Sequence, residues 1–421
     1  MSWCRSQSGV ALLMAVALWT IRSLAMPGDA IHGVLEEKLG EVAEIVFFLI
    51  GAMTIVETVD AHQGFKIITD SISTRSKTTL LWLIGTITFF MSAVLDNLTS
   101  TIVMVSLLRK LIRDPETRKF FGAVVVLAAN AGGAWTPIGD VTTTMLWING
   151  QIGTTATIRD LFLPSLVSLA VPLAFISAAA PEVRGDLPPQ PAPAAAAEMA
   201  PRARLVFAAG LSSLLFVPAF KQLTGLPPYL GMLAGLGALW LLTDAIHFGE
   251  DDSRANLKVP SALQRIDSQG VLFFLGILMS VASLESSGVL KDLAVWLNNH
   301  VPSEEIIAGA IGLVSAVIDN VPLVAATMGM YDLAQHPQDS SLWQLIAYCA
   351  GTGGSILIIG SAAGVAYMGL EKADFFWYAR KISPWALAGY LGGMGVYLAE
   401  RTLPVFAPLA HVAGQLPAPL P

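Results

Sequence analysis

The chain has 421 residues, of which 54% are hydrophobic and only 13% are charged, whereas about 25% of the residues of an average soluble domain are charged. The formal net charge is −7, and the two cysteines, Cys4 and Cys349, lie far apart in no metal-ligand pattern. This balance excludes a soluble core and a disulfide framework, and we expect a membrane protein with no nucleic-acid partner, no cofactor and no enzymatic activity.

Several apolar runs are long enough to cross a bilayer. A crossing needs about 17–25 apolar residues, and that length is approached or reached at 10–26, 43–59, 205–220, 229–243 and 270–284. The first run follows Arg5 and precedes small residues. It is therefore either a retained first helix, which we favour, or a secretory signal peptide.

Residues 78–108 form an apolar stretch that a polar break at Asp96-Asn97 divides. A continuous helix of that length would measure about 46 Å, too long for one crossing and too short for two. Both flanks are basic, with Lys66, Arg75 and Lys77 before the stretch and Arg109, Lys110, Arg113, Arg118 and Lys119 after it. Because basic flanks favour the cytoplasmic side, we predict a re-entrant hairpin with Asp96-Asn97 at its tip.

An interrupted helix is predicted at about 120–150. Gly132, Gly133 and Pro137 lie in the interruption, and the apolar pattern resumes after Asp140. Glycine and proline in the middle of an apolar span free backbone carbonyl and amide groups. Those groups can hold an ion.

A proline- and alanine-rich segment at 181–204 can neither span a membrane nor pack as a regular element. It predicts a linker between two membrane repeats, 1–180 and 205–421. Landmarks recur in order on either side: Phe47 at Phe273 (273 − 47 = 226), Asp96-Asn97 at Asp319-Asn320 (319 − 96 = 223) and Gly132-Gly133 at Gly353-Gly354 (353 − 132 = 221). The nearly constant offset predicts an internal repeat.

The second half shows opposite flanking charge. A broken segment at about 304–333 centres on Asp319-Asn320, and its flanks carry no lysine or arginine but Glu304, Glu305, Asp332 and Asp339. We expect this hairpin to open to the outside. A second interrupted helix follows at about 342–370, with Gly353, Gly354 and Ser355 at its break.

These elements together predict an all-α polytopic membrane protein. It would be an inverted repeat with two re-entrant helical hairpins and two interrupted transmembrane helices. Secondary transporters with this architecture bind their substrate near the middle of the membrane.

The candidate functional groups inside the membrane are nearly all acidic, namely Glu57, Asp60, Asp96, Asp140, Glu285 and Asp319. An ionisable side chain in that environment is costly, so each is a functional hypothesis. Carboxylate and carbonyl oxygens suit a hard cation, whereas an anion would need helix N-termini, arginine or lysine. A proton and a cation would compete for one buried carboxylate, and that competition produces exchange.

Each candidate also has a structural interpretation. Asp96, Asp140 and Asp319 could simply cap the half-helices that follow them, although a cap need not recur in both halves and we favour function. Thr142 and Thr143 offer oxygens to an ion but could bond to their own backbone.

Four further polar positions also need interpretation. Asn130 could coordinate a cation or bridge helices. Glu57 could line the pathway or mark the interface with water, and Asp60 and His62 are expected to face solvent.

The blocks SAVLDNLTSTIVMV, AANAGGAWTPIGDVTTTMLW and SAVIDNVPLVAA resemble the NhaD-type sodium/proton antiporters of the ion transporter superfamily. The resemblance extends from about Ala43 onward. It implies exchange of Na⁺ or Li⁺ for H⁺, a role in pH homeostasis, and a multi-pass homodimer in lipid, in a bacterial inner membrane. By motif match it assigns importance to Glu57, Ser92, Asp96, Asn97, Asn130, Asp140, Thr142, Thr143, Ser315, Asp319 and Asn320, with Na⁺ at Asp96, Asp140 and Asp319.

One departure and two alternatives accompany this interpretation. Gly351-Thr352 stands where the first half has Asn130-Ala131, so the halves are not chemically equivalent. A dicarboxylate or oxyanion carrier of the same superfamily remains an alternative, although the aspartates at the tips argue against it. An intramembrane aspartyl protease is another, for which the sequence around Asp140 gives only a weak motif.

Overall fold

The computed structural model describes residues 7–25, 31–69, 74–187, 200, 202–249, 256–301 and 303–402. Over these ranges the chain forms α-helices and short turns, with a single isolated β-bridge between Ser76 and Asp186. Seven of the helices are long and apolar enough to cross a membrane. The prediction of an all-α, multi-pass membrane protein is therefore confirmed.

The first eight helices precede the proline-rich segment. They are α1 (Gln7–Ala25), α2 (Ile31–Ala61), α3 (Lys66–Thr69), α4 (Lys77–Leu95), α5 (Asn97–Leu111), α6 (Pro115–Gly133), α7 (Val141–Ile148) and α8 (Thr154–Ala179). In the segment itself, Pro181–Val183 form a 3₁₀ turn. Residues 188–199 and 201 of the predicted linker lie outside the described residues.

Eleven helices follow within the described residues. They are α9 (Ala203–Thr224), α10 (Pro228–Ile246), α11 (Val259–Leu263), α12 (Ser268–Ser286), α13 (Val289–His300), α14 (Glu304–Ser315), α15 (Asn320–Met330), α16 (Ser341–Gly353), α17 (Ala362–Glu371), α18 (Phe375–Lys381) and α19 (Ser383–Thr402). The pairs α4–α5 and α14–α15 occupy the predicted hairpins. The pairs α6–α7 and α16–α17 occupy the predicted interrupted helices.

The first helix packs along α12. Ser8 Oγ donates a hydrogen bond to Gln269 O at 2.9 Å, and Trp19 Nε1 donates to Met279 O at 2.9 Å. The residue numbers of the two contacts increase together along α1 and α12, so the two helices run in the same direction.

The two incoming halves of the interrupted helices, α6 and α16, form the centre of the protein. Every residue of 120–133 and of 342–353 is buried. These stretches are rich in alanine, glycine and valine, and small side chains allow helices in a membrane to approach closely. The hairpin helices pack directly on them.

Equivalent contacts between hairpin and interrupted helix recur in the two halves. Ser92 Oγ donates to Ala129 O at 2.6 Å, and Ser315 Oγ donates to Ala350 O at 3.0 Å. The donors are 223 residues apart (315 − 92) and the acceptors 221 (350 − 129). The serines thus bond the same carbonyl position in each half.

Charged residues at the helix ends form two groups, which we call the basic face and the acidic face. On the basic face, Lys77 Nζ donates to Glu182 O at 3.2 Å, and Lys381 lies 3.5 Å from the Glu182 carboxylate. On the acidic face, Asp339 accepts the backbone N–H of Gly153 at 2.5 Å. Helix α8 begins at Thr154 and has 26 residues, so it separates the faces by about 39 Å.

The ends of each hairpin segment lie close together on one face. His336, after α15, lies 3.8 Å from Glu304 at the start of α14. After α5, hydrogen bonds from Thr117 and the ammonium of Lys77, at the start of α4, hold the pKa of Asp114 below its usual range. The start of α14 therefore lies beside the segment that follows α15, and the start of α4 lies near the segment that follows α5.

The expectation that His62 faces solvent is wrong. The His62 side chain is fully buried, and its Nε2 lies 3.0 Å from Nε2 of His247 at the end of α10. The reason is that the turn after α2 folds back on the helix, where Gly64 N donates to Val59 O at 2.9 Å. Asp60 is exposed, as expected.

We predict that Glu371→Gln lowers the melting temperature of the purified protein. The Glu371 carboxylate is 2% exposed and accepts from Arg109 Nε and Arg118 Nε, each at 2.7 Å, which ties α17 to α5 and α6. Removing one partner of a buried ion pair costs about 3–5 kcal/mol, and less here because Arg109 is half exposed.

Glu116→Gln is the matched control, because its carboxylate is 65% exposed and pairs with Lys119 on the surface. Such a pair contributes roughly 0–1 kcal/mol. Equal melting temperatures for the two variants would contradict the assignment of Glu371 as a link between the halves.

Candidate functional site

Asp140 lies at the centre of the candidate site, where it caps the N-terminus of α7. Its carboxyl group is 2% exposed. Oδ1 accepts the backbone N–H of Thr142 at 3.0 Å, and Oδ2 accepts from Asn97 Nδ2 at 2.8 Å and Asn320 Nδ2 at 3.4 Å. One carboxylate is therefore held by an amide from the tip of each hairpin.

Asn130 extends this network into the second half of the chain. Its Oδ1 accepts from Asn97 Nδ2 at 3.1 Å, and its Nδ2 donates to Ser361 Oγ at 2.9 Å. Ser361 in turn caps α17 by accepting the N–H of Gly364 at 3.2 Å. A continuous chain of hydrogen bonds thus joins Asp140, Asn97, Asn130 and Ser361, all of them buried.

Asp96 forms the break between α4 and α5 with a single residue. Its φ of 75° and ψ of 159° are strained for any residue other than glycine, at a cost of about 1–3 kcal/mol. The carboxylate caps α5, accepting from Thr99 N at 2.8 Å and Thr99 Oγ1 at 2.7 Å. The Asp96 oxygens that we predicted to bind a cation are therefore the same oxygens that cap α5.

Asp319 plays the equivalent part in the second hairpin. Its Oδ1 accepts the N–H of Val321 at 3.0 Å, which caps α15. Asp96 and Asp319 directly precede Asn97 and Asn320, whose amides donate to the Asp140 carboxylate, so the three carboxyl groups share one region. Among the described residues, however, no group of three or more acidic, histidine or cysteine side chains is placed to hold one metal ion together, since each of these two caps its own helix.

The two threonines that we proposed as ion ligands differ in their contacts. Thr143 Oγ1 donates to Asp140 O at 3.0 Å, so it supports the backbone of the break. The hydroxyl of Thr142 is fully buried and makes no hydrogen bond among the described residues. Thr142 is therefore the one of the pair whose hydroxyl is not bonded to the backbone of the break.

The predicted supporting residues shape the breaks. Thr144 Oγ1 donates to Pro137 O at 3.0 Å. A side chain at Gly133 would meet the Gly139 carbonyl and one at Gly354 the Gly360 carbonyl, while Gly132 and Gly353 touch hairpin backbone. Ser355 Oγ donates to Thr352 O at 2.6 Å within its own turn. It is not a member of the series of hydrogen bonds that joins Asp140 to Ser361.

Two predicted acidic candidates lie outside the site. Glu57 accepts from Arg265 Nε at 2.7 Å near the end of α2. Arg265 lies just before α12, and Glu285, at the opposite end of that helix, pairs with Lys38 at 3.1 Å. Both carboxylates are partly exposed and paired with a cation.

A cavity of about 70 Å³ adjoins Asp140 and is called the site cavity below. Asp96, Asn97 and Asp140 line it together with residues of α2 from Phe48 to Val56, and its lining includes no lysine or arginine among the residues that the structure describes. The volume accommodates about two water molecules or a partly hydrated small cation. Asp267, an exposed residue that caps α12, lies at its rim.

Sequence reasoning missed two of these residues, Ser361 and Asp267. The repeat contains the signal for Ser361, because the offset of 221 that relates Gly132 to Gly353 also carries Asp140 to Ser361 (361 − 140 = 221). The sequence gives no comparable signal for Asp267, which joins the cavity only through the packing of α12 against α2.

Four half-helix N-termini surround this site, those of α5, α7, α15 and α17. The N-terminus of a helix carries partial positive charge and unpaired N–H groups. Asp96, Asp140 and Asp319 cap three of them with their own carboxylates, and Ser361 caps the fourth. One N–H group of each first turn is therefore already engaged, and at three of the four ends a carboxylate of the chain would repel a free anion.

Comparisons with known proteins agree with this description. Residues 2–351 match the family model described as "Citrate transporter". The chain is 64% identical to sodium/proton antiporter 1 of Arabidopsis thaliana over 94% of this chain and 69% of that protein. It is 60% identical to sodium/proton antiporter 2 of the same plant, over 95% of each. It is 30% identical to the Na⁺/H⁺ antiporter NhaD of Vibrio cholerae, over 86% of this chain and 80% of that protein.

We predict that Gly132→Ala prevents correct folding, whereas Gly351→Ala is tolerated. A Cβ at Gly132 would overlap the carbonyl of Phe89 in the first hairpin, which is backbone and cannot rotate away. At Gly351 a Cβ would lie 3.2 Å from the Cβ of Ala134, a contact that small shifts relieve. Size-exclusion profiles of fluorescent fusions would distinguish the two variants, and a monodisperse Gly132→Ala protein would contradict the close packing described.

Proposed function

The chain belongs to the NhaD-type family of sodium/proton antiporters, and we propose that it exchanges Na⁺, and also Li⁺, for H⁺ by alternating access. Asp140 is the carboxylate that holds either the cation or the proton. Asn97, Asn130 and Asn320 supply amide oxygens after a change of rotamer, and Thr142 supplies its hydroxyl.

The observation that carries this proposal is the capping of the half-helices by aspartate. An anion carrier on this fold needs free N–H groups at those helix ends to bind a substrate carboxylate. Here carboxylates of the chain itself cap three of the four ends, and the lining of the site cavity adds Asp267 but, within the described part of the chain, no lysine or arginine. Citrate, which the description of the family model names, is an anion and therefore suits this site less well as a substrate than a cation does.

Exchange follows from the electrostatics of one buried carboxylate. A bare negative charge in a low-dielectric region is costly, and it is neutralised either by a bound proton or by a bound cation. Occupancy by both together would leave excess positive charge. The site therefore crosses the membrane loaded with one or the other, and the two fluxes are coupled.

We infer an inverted arrangement of the two hairpins from the positions of their ends. The α4–α5 segment begins and ends at the basic face, and the α14–α15 segment at the acidic face, as the contacts of Lys77 and Glu304 indicate. The two tips would then reach Asp140 from opposite sides of the membrane. The basic face corresponds to the cytoplasmic side by the positive-inside rule.

The membrane location of the protein is better supported than its oligomeric state. The protein is a multi-pass integral membrane protein, and its relatives include both plant and bacterial antiporters, so we do not assign it to a bacterial inner membrane. The homodimer that the family resemblance implies stays a proposal. A protease is disfavoured because the groups bonded to the Asp140 carboxylate are two amides and a backbone N–H.

We predict that Asp140→Asn abolishes Na⁺-driven proton movement in proteoliposomes while the protein stays folded. Asparagine keeps the size of the side chain and can still cap α7, but it carries neither a proton nor a charge. Asp160→Asn is the control, because Asp160 forms a surface ion pair with Arg159 at 2.5 Å. Na⁺-stimulated citrate or succinate uptake without proton movement would instead favour the anion carrier.

The same substitution at Asp96 or Asp319 is expected to reduce exchange without unfolding the hairpins. Asparagine is as good an N-cap as aspartate, so the half-helices persist while the negative charge near Asp140 is lost. Normal exchange by both variants would assign these residues to capping alone.

The apparent affinity for Na⁺ should fall as the medium becomes more acidic. If one proton and one cation compete for Asp140, the apparent KM for Na⁺ rises about tenfold per pH unit below the titration point of the site. Initial rates over a range of pH and Na⁺ concentration measure this slope. A KM that is independent of pH would contradict competition at one carboxylate.

A further inference from the structure

A second cavity lies on the other side of the site, toward the acidic face. Its volume is about 240 Å³, and its polar lining comes from Lys38, Glu41, Asn149, Gln151 and Glu285. Gln151 O accepts the backbone N–H of Asp339, which fixes this cavity at the acidic face. We call it the vestibule.

A compact set of apolar side chains separates the vestibule from the site cavity. They form a hydrophobic cluster distinct from the main core, and each is at most 7% exposed: Val42, Ile45, Leu49, Met145, Leu278, Val321 and Ala325. We call this set the apolar barrier. Its members come from α2 and α12 on one side and from α7 and α15 on the other.

Two helices show the same order of environments along their length. Along α2, Lys38 and Glu41 line the vestibule, the barrier residues Val42 and Ile45 form its floor, and the site cavity begins at Phe48. The two cavities are thus about 5 Å apart along α2, from Ile45 to Phe48. Along α12 the order is reversed, since Val271 lines the site cavity whereas the barrier residue Leu278 and then Glu285 line the vestibule.

The helices that carry the site run from it toward the vestibule. On α7, Asp140 is followed by Met145 in the barrier and Asn149 in the vestibule. On α15, Asn320 precedes the barrier residues Val321 and Ala325, and Met328 lines the vestibule. The barrier therefore lies between the α2–α12 pair and the two helices whose N-termini form the site.

Lys38 holds the first of these pairs together at its outer end. Its ammonium lies 3.0 Å from Glu41 on α2 and 3.1 Å from Glu285 on α12. The two helices are thus joined across the vestibule, and opening of the barrier requires α7 and α15 to separate from them.

We propose that the vestibule is the cation entrance on the acidic face and that the apolar barrier closes it in this conformation. This proposal rests on the antiport function proposed above. A constriction lined only by apolar side chains excludes water and hydrated ions by dewetting. In the described part of the chain Asp140 is then reached through the site cavity, whose rim at Asp267 lies at the same end of α12 as Arg265 and Glu57, near the basic face.

Sided labelling of single cysteines tests this assignment. In a Cys4→Ser, Cys349→Ala background, one cysteine is placed in each zone: Ala52→Cys in the site cavity, Val321→Cys in the barrier and Met328→Cys in the vestibule. A membrane-impermeant cationic thiosulfonate is added to either side of proteoliposomes of known orientation, without Na⁺.

We expect Ala52→Cys to react from the basic face only and Met328→Cys from the acidic face only. Val321→Cys should react at least about tenfold more slowly from either side, because Val321 is 2% exposed, is in the lining of neither cavity and is reached only when the barrier opens. Leu275→Cys, which packs against the barrier and is also in neither lining, replaces it if that variant does not fold. Rapid reaction of the barrier cysteine from the acidic face, or of Met328→Cys from the basic face, would overturn the proposal.

The readout separates this proposal from antiport itself. Labelling needs no ion exchange, so the pattern is measured on the same vesicles in which Na⁺-driven proton movement is assayed. The expected pattern without exchange would reject antiport but keep the barrier. Normal exchange with a different pattern would reject the barrier alone.

Discussion

The proposed exchange depends on one constraint: a carboxylate in an apolar interior needs a proton or a cation to neutralise it and hydrogen-bond donors to hold its oxygens. Asp140 finds those donors at the N-terminus of α7 and in the amides of Asn97 and Asn320, which come from different halves of the chain. These partners are available because four half-helices begin around Asp140. The helix breaks, costly in an apolar medium, are therefore the means by which the site is built.

The frame around this carboxylate is nearly symmetric, but its chemistry is not. Ser92 and Ser315 make the same bond to equivalent carbonyls in the two halves. By contrast, Asp140 corresponds to Ser361, and Asn130 corresponds to Gly351 (351 − 130 = 221). One half thus supplies the charge and the bridging amide, while the other supplies a neutral hydroxyl. This asymmetry gives the protein one central carboxylate where a perfect repeat would place two.

Much of this could be read from the sequence, because the relevant signals are local. Asp96, Asp140 and Asp319 each precede a half-helix, and Gly132 and Gly353 lie at the backbone contacts between hairpin and interrupted helix. What the sequence did not contain is tertiary placement. His62 was expected in solvent and is buried against His247, and the Glu57 carboxylate pairs with Arg265 rather than lining the site. These contacts join residues about 200 positions apart, for which no periodicity or motif gives a signal.

The central claim is that cation and proton compete for one carboxylate, and proton release on cation binding tests it most directly. Purified protein in a weakly buffered solution near the titration point of the site would be titrated with Na⁺ while the pH is recorded. The account predicts that Na⁺ binding releases protons from the native protein and none from Asp140→Asn. Na⁺ binding to the native protein without proton release, or undiminished release from Asp140→Asn, would contradict it.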